Sequence, residues 1–139
     1  GEVAVENAMG KDKRMSYDVI PGGIFTSPEI GNVGLTEVQA KEKGLNVRAD
    51  SVLFRTLGKA HVISELGGQA KIVSDVGTGK VLGVHIIGPH ATDLIAEACV
   101  ALQIESTTEE LFRTIHAHPT LSEAVAEAAH AAVGHAIHI

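Results

Sequence analysis

The stretch His116-Ala117-His118-Pro119-Thr120-Leu121-Ser122-Glu123 sets two imidazoles beside a carboxylate in one short run of chain. Proline steers the residue before it out of the right-handed helical region, so His118 is expected in an extended lead-in. Thr120 and Glu123 stand three apart, the spacing of a capping box, which predicts a helix capped by Thr120 and starting near Leu121. On that geometry Glu123 lies in the first turn, within reach of the His118 ring. A carboxylate on one ring nitrogen fixes the tautomer and favours the imidazolium form. The other nitrogen is then free to take a proton from a substrate. The same spacing also suits a plainer arrangement, in which Glu123 only caps its own helix and His118 is a half-buried packing residue.

The elements that must position these groups read as α+β. Residues 1–10 look like the end of a helix closed at Gly10 and begun in a missing upstream domain, leaving 11–139 as one folded unit. Lys11 to Tyr17 is a polar linker. Short strands are expected around Gly23–Thr26 and Gly31–Leu35, with a turn at Ser27-Pro28 between them. Thr36 and Gln39 predict a capped helix ending at Gly44. Val47–Thr56 alternates like a long strand. His61–Glu65, Gln69–Asp75 and Lys80–Ile87 are β-rich runs broken by glycine turns, too closely connected to be anything but antiparallel neighbours. Helices over roughly 91–103, 107–115 and 120–134 close the chain, the second opened by Thr107 with Glu110.

Several chemistries are excluded. Gly77-Thr78-Gly79-Lys80 invites a phosphate reading, but Ser74 and Val81 stand where a P-loop needs glycine and a hydroxyl residue. It is a hairpin turn. One cysteine, Cys99, forbids an internal disulfide, and its apolar helical surroundings suit a small hydrophobe. The eight histidines lack helical i, i+4 pairing and a companion Cys or Asp/Glu set, so no metal site is expected. His130, His135 and His138 near the terminus are expected to be solvated or frayed. A net charge of −6 disfavours nucleic acid. No apolar run reaches the length of a membrane span, and no signal peptide opens the chain. The lone cysteine suits a reducing compartment, and the cytoplasm is the expected location.

The alanine-rich run from Ala124 to Val133 leaves little bulk around Leu121, Val125 and Val133. A face of this kind either meets a partner or packs on the domain's own sheet, and both follow from the same amphipathic logic.

His116 to Glu123 resembles the His-x-His-Pro-Thr-x-Ser-Glu signature of the dihydrolipoamide dehydrogenases, flavin-dependent members of the pyridine nucleotide-disulfide oxidoreductase family. Phe25-Thr26-Ser27-Pro28-Glu29, Val33-Gly34-Leu35-Thr36-Glu37 and Leu82-Gly83-Val84-His85-Ile86-Ile87-Gly88-Pro89 are similar to further stretches of the same enzymes. The resemblance covers nearly all of residues 1–133, yet only the last third or so of such an enzyme. The redox-active cysteine pair and the FAD- and NAD-binding glycine turns are missing.

The resemblance implies an α+β dimerisation domain: an antiparallel sheet of about five strands with helices packed on one face. It implies a homodimer in which the histidine of one subunit serves the flavin and disulfide of the other. His118 and Glu123 would then be the catalytic acid–base dyad. His118 and Pro119 would meet the flavin edge, and His116 would line the substrate channel. The His118-Pro119 bond would be cis. FAD and NAD are the cofactors implied for the parent enzyme, with none bound to this fragment. Lipoyl domains and the acyltransferase core of a 2-oxo acid dehydrogenase complex are the implied partners. Glutathione reductases share the His-Pro and a downstream acid, but His116 and the Ser122-Glu123 ending favour the lipoamide type. From a different class, the isolated chain would be a dimerisation module without turnover.

Overall fold

The structure is a computed structural model, and it describes residues 1–137. Helix α1 (Glu2–Ala8) precedes strands β1 (Gly22–Ile24) and β2 (Glu29–Gly34), helix α2 (Glu37–Glu42) and strand β3 (Val47–Leu53). A 3-10 turn (Phe54–Thr56) and helix α3 (Gly58–Val62) lead to β4 (Gln69–Asp75) and β5 (Val81–Gly88), then α4 (Ala91–Gln103), α5 (Thr108–Arg113) and α6 (Glu123–Ala132). The five strands form one antiparallel sheet in the order β1-β2-β5-β4-β3. The expected antiparallel sheet of five strands with helices is the observed one, except that one short helix lies on the opposite face.

Strand alternation decides which face is buried. Val33 pairs with Val84, Ile72 with Val84, and Ala70 with both Ile86 and Val52, so these side chains share one face. All belong to the main core, together with Ile95 and Ala98 of α4 and Val125 and Ala128 of α6. The short α2 lies on the other face, where Glu37 pairs with Lys71 at 3.4 Å and Ala40 is fully buried. Its placement follows from topology. The link from β2 to β3 must cross β5 and β4, and it does so on the face that the long helices leave open.

The helix ends follow one rule with one exception. In α1, α2, α3, α4 and α6 the residue after the cap takes a positive φ: Gly10, Gly44, Ser64, Glu105 and Gly134. Its N–H and the next one return to the last turn, as in Gly44 to Lys41 and Leu45 to Ala40, the Schellman arrangement. Helix α5 ends differently. Thr114 goes straight into extended backbone, with φ −69° and ψ 123°, and the chain runs on into His116 and His118. The capping boxes expected at Thr36–Gln39 and Thr107–Glu110 are both formed.

Four expectations need correction. His61–Glu65 is not a strand: it falls in α3 and its closing turn. Leu57 and Ala60, three apart, are both buried, and that packing overrides the strand preference of Val62 and Ile63. The strand from Val47 stops at Leu53, because Phe54 turns inward, fully buried, against the bare backbone of Gly88. Burying that ring is worth roughly 2–3 kcal/mol, which offsets the lost strand pairing. The last helix starts at Glu123, two residues beyond Leu121. His130 is half-buried and packs on the Phe112 ring at 4.5 Å, while His135, 6.1 Å from that ring, is exposed as expected. His138 lies outside the described residues.

The alanine-rich face packs at home. Ala124, Val125, Ala128, Ala129 and Ala132 are buried against β3, β4 and α5. Arg48, clamped by Asp50 at 2.6 Å, donates to the Ala131 carbonyl at 3.2 Å and ties the helix end to the sheet edge. Helix α1 buries no residue within this chain.

Candidate functional site

The loop between α5 and α6 carries the residues singled out by the sequence, and it does bring His118 to Glu123. Nδ1 of His118 lies 2.8 Å from Glu123 Oε1. The second carboxylate oxygen accepts the Thr120 N–H at 2.9 Å. Glu123 thus bridges ring and backbone, forming half of the capping box expected with Thr120. The other half is absent because the Thr120 hydroxyl turns back to the Ala117 carbonyl at 2.7 Å and meets Ser122 Oγ at 2.8 Å. Helix α6 therefore opens at Ser122 without a side-chain cap.

Exposure divides the labour within the pair. The His118 side chain is 71% exposed and that of Glu123 only 18%. A sheltered carboxylate holding Nδ1–H leaves Nε2 pointing outward with its lone pair available. The bond between His118 and Pro119 is cis, as the resemblance implied. Both residues face the start of α3, within about 4 Å of where a side chain on Gly58 would begin.

His116 is placed differently from His118. Its Nδ1 donates to the Thr114 carbonyl at 2.9 Å, and its Nε2 lies 2.6 Å from Glu97 Oε1 of α4. The side chain is only 9% exposed. The sequence reading missed Glu97. Its one signal was a carboxylate inside the otherwise apolar run Leu94-Ile95-Ala96-Glu97-Ala98-Cys99, where an ionised group needs a partner.

Other candidate groups have structural work. Glu29 of β2 accepts the N–H and hydroxyl of Thr92 at 3.0 and 2.6 Å, capping α4 from the sheet. Those two donors, hydroxyl first, hold its carboxyl below the ordinary range. Asp75 likewise closes the β4–β5 turn through the Thr78 hydroxyl and the Thr78 and Gly77 amides, and its carboxyl is lowered for that reason. Partial burial pushes the Cys99 thiol up, away from the reactive thiolate. Among the described residues no group of three His, Cys, Asp or Glu side chains could hold a metal ion, and no helix is long and apolar enough to cross a membrane.

Comparison with known proteins shows the family. Residues 20–129 match the family model described as pyridine nucleotide-disulphide oxidoreductase, dimerisation domain. The chain is 48% identical to dihydrolipoyl dehydrogenase of Bacillus subtilis, over 99% of its own length and 29% of that protein. It is 43% identical to the mitochondrial dihydrolipoyl dehydrogenase of Pisum sativum, over 100% of its length and 28% of that protein. Among solved structures, LpdA from Mycobacterium tuberculosis superposes with a TM-score of 0.83 at 29% identity, covering 93% of this chain and 28% of that one. The HOCl-induced flavoprotein disulfide reductase RclA from Escherichia coli shares the fold, with a TM-score of 0.81 at 24% identity over 89% of this chain and 29% of its own. The chain thus spans less than a third of the length of the curated relatives it matches.

Proposed function

The chain belongs to the pyridine nucleotide-disulphide oxidoreductases, as their dimerisation domain, and on that premise we propose that it supplies the acid–base dyad of a dihydrolipoamide dehydrogenase. In this reading Nε2 of His118 removes a proton from a dihydrolipoamide thiol. The resulting thiolate attacks one sulfur of a disulfide held elsewhere in the whole enzyme. A mixed disulfide forms and the other sulfur leaves as a thiolate. Glu123 keeps Nδ1–H engaged and so holds the ring in the tautomer that leaves Nε2 free for the proton. The observation that carries the reading is the 2.8 Å contact between His118 and Glu123 on a ring 71% exposed.

The residues present fit the rim of a flavin site. His118 and Pro119 are both exposed and adjacent, suited to meeting the flavin edge of a partner subunit. No Gly-x-Gly-x-x-Gly turn occurs in the 139 residues, so the bed for FAD or NAD lies outside this chain, which by itself is expected to bind neither. FAD, when bound in the whole enzyme, relays electrons between the disulfide and the nicotinamide. The same reading makes the assembly a homodimer with shared sites and, as wider partners, lipoyl domains and the acyltransferase core of a 2-oxo acid dehydrogenase complex. In this reading His116 lines the substrate channel, with its Nε2 2.6 Å from Glu97 Oε1.

In the full-length flavoenzyme, His118→Gln should lower dihydrolipoamide oxidation by about 10²–10⁴-fold, the scale of a general base, with the flavin spectrum unchanged. Undiminished turnover would remove His118 from the chemistry. A second reading, dimerisation without turnover by the isolated chain, is favoured by the exposed Val100, Ile104 and Ile115 at the ends of α4 and α5. Light scattering on the isolated chain tests it: the dimer has twice the mass of a 14.5 kDa protomer.

A further inference from the structure

The segment that carries His118 is unusual in how it is held. Among the described residues, no backbone–backbone hydrogen bond involves residues 115–120. Its hydrogen bonds come from side chains, and most stay within the neighbourhood of α6: His118 and the Thr120 N–H to Glu123, and the Thr120 hydroxyl to Ala117 and Ser122. One reaches another element. His116 Nε2 meets Glu97 Oε1 of α4 at 2.6 Å, while its Nδ1 closes the end of α5 at the Thr114 carbonyl. Both ring nitrogens are therefore committed, and the side chain is almost fully enclosed. Two residues on, His118 is open to solvent.

We propose that Glu97 and His116 are positioning residues: a carboxylate–imidazole brace from α4 that fixes the loop and so presents His118 to Glu123 in one orientation. This deepens the reading of His118 as a base and rests on it. The physical ground is that, among the described residues, a side-chain tether two residues away is the only hydrogen-bonded link from residues 115–120 to an element other than α5 and α6. Without it, rotation of the chain between Thr114 and Thr120 is opposed by the dyad and by the Thr120 bonds to Ala117, Ser122 and Glu123, all of them within the loop and the start of α6. A base that must keep one tautomer and one direction depends on such outer partners, which restrict the ring's surroundings without touching the substrate. A charge-assisted bond is also stronger than a neutral one, so a carboxylate serves better here than an amide.

The test is ring-nitrogen NMR on this chain, reading the ratio of the Nδ1–H to the Nε2–H tautomer of neutral His118. Glu123→Gln supplies the spectrum of a broken dyad. Glu97→Leu, which removes the acceptor, should lower the His118 ratio by about five-fold, the scale of one hydrogen bond. Glu97→Gln, which keeps a neutral acceptor, should restore part of it. Amide signals of β4 and β5 should stay in place in both, separating loop reorientation from unfolding. If Glu97→Leu fails to fold, Glu97→Gln and His116→Gln carry the same measurement. The proposal is overturned if His116 signals move in these variants while the His118 ratio does not. Failure of the parent reading shows up elsewhere, as full turnover by His118→Gln in the flavoenzyme with the brace still coupled to the His118 ring.

Discussion

Among the described residues five helix ends close with a backbone turn of positive φ, and one, α5, closes without it, through the N–H and hydroxyl of Thr114 and an imidazole on the Thr114 carbonyl. The Schellman turns after α1, α2, α3, α4 and α6 return two N–H groups to the last turn and need only a residue that tolerates positive φ. At α5 Thr114 returns its N–H and hydroxyl to the last turn, His116 takes the Thr114 carbonyl, and the hydrogen bonds of residues 115–120 then come from side chains. The difference separates two design problems. Backbone closure makes a scaffold indifferent to most substitutions. Side-chain closure makes a loop whose geometry is set by a few named residues, which is where a functional group has to be aimed.

The comparison predicts unequal sensitivity to substitution. The largest loss of stability should come from the scaffold, at Gly83 of β5. A Cβ there would lie 2.1 Å from the Leu35 carbonyl oxygen, so Gly83→Ala must displace backbone. We expect a loss of about 3 kcal/mol, the scale of overpacking, read from urea denaturation. An unchanged midpoint would mean the face between β5 and Leu35 is looser than described.

Glu29 sharpens the scaffold side through pH. Its folded pKa is depressed by the Thr92 donors, so its contribution is present above the ordinary value of 4.5 and is lost as pH falls through the lower folded value. Glu29→Gln should therefore melt below the parent near neutrality, with the gap closing in acid. A gap that widens in acid would reverse the assignment.

Smaller effects are expected at exposed positions. Ser64 holds φ at 58° in the turn after α3, so Ser64→Gly should gain about 1 kcal/mol by relieving strain. A scanning-calorimetry Tm raised by a few degrees would bear this out, and a lowered one would refute it. His118→Gln should change stability least, by within about 0.5 kcal/mol, because the ring is exposed and its loop carries no ladder. A loss of several kcal/mol there would place His118 in the scaffold.

Much of this was legible in the sequence where the signal is local. Thr36–Gln39 and Thr107–Glu110 form the boxes their spacing implies, and Gly10 and Gly44 sit after the helix ends they were expected to stop. The meander was legible in part, since Gln69–Asp75 and the run to Ile87 were bounded by glycine turns. What escaped was decided by contacts distant in sequence. Helix α3 depends on Leu57 and Ala60 finding the core. The turn at Phe54 depends on the space beside Gly88. The start of α6 depends on a Thr120 hydroxyl that chose the Ala117 carbonyl over its own helix. Glu97 is the clearest case, because a carboxylate nineteen positions before its imidazole leaves no spacing rule to detect.

Gly31 links the two regions. A Cβ at that position of β2 would fall 2.3 Å from the Ala91 carbonyl oxygen and 3.1 Å from Ile95 Cβ, so α4 lies in a notch left by a missing side chain. Glu97 stands six residues beyond Ala91, about 9 Å along the same rigid rod at 1.5 Å per residue. A single methyl on the sheet would act as a wedge under one end of that rod and tilt the other. Alanine at this remote glycine is therefore expected to degrade the aim of His118 before it unfolds anything, a leverage that no residue touching the imidazole would reveal.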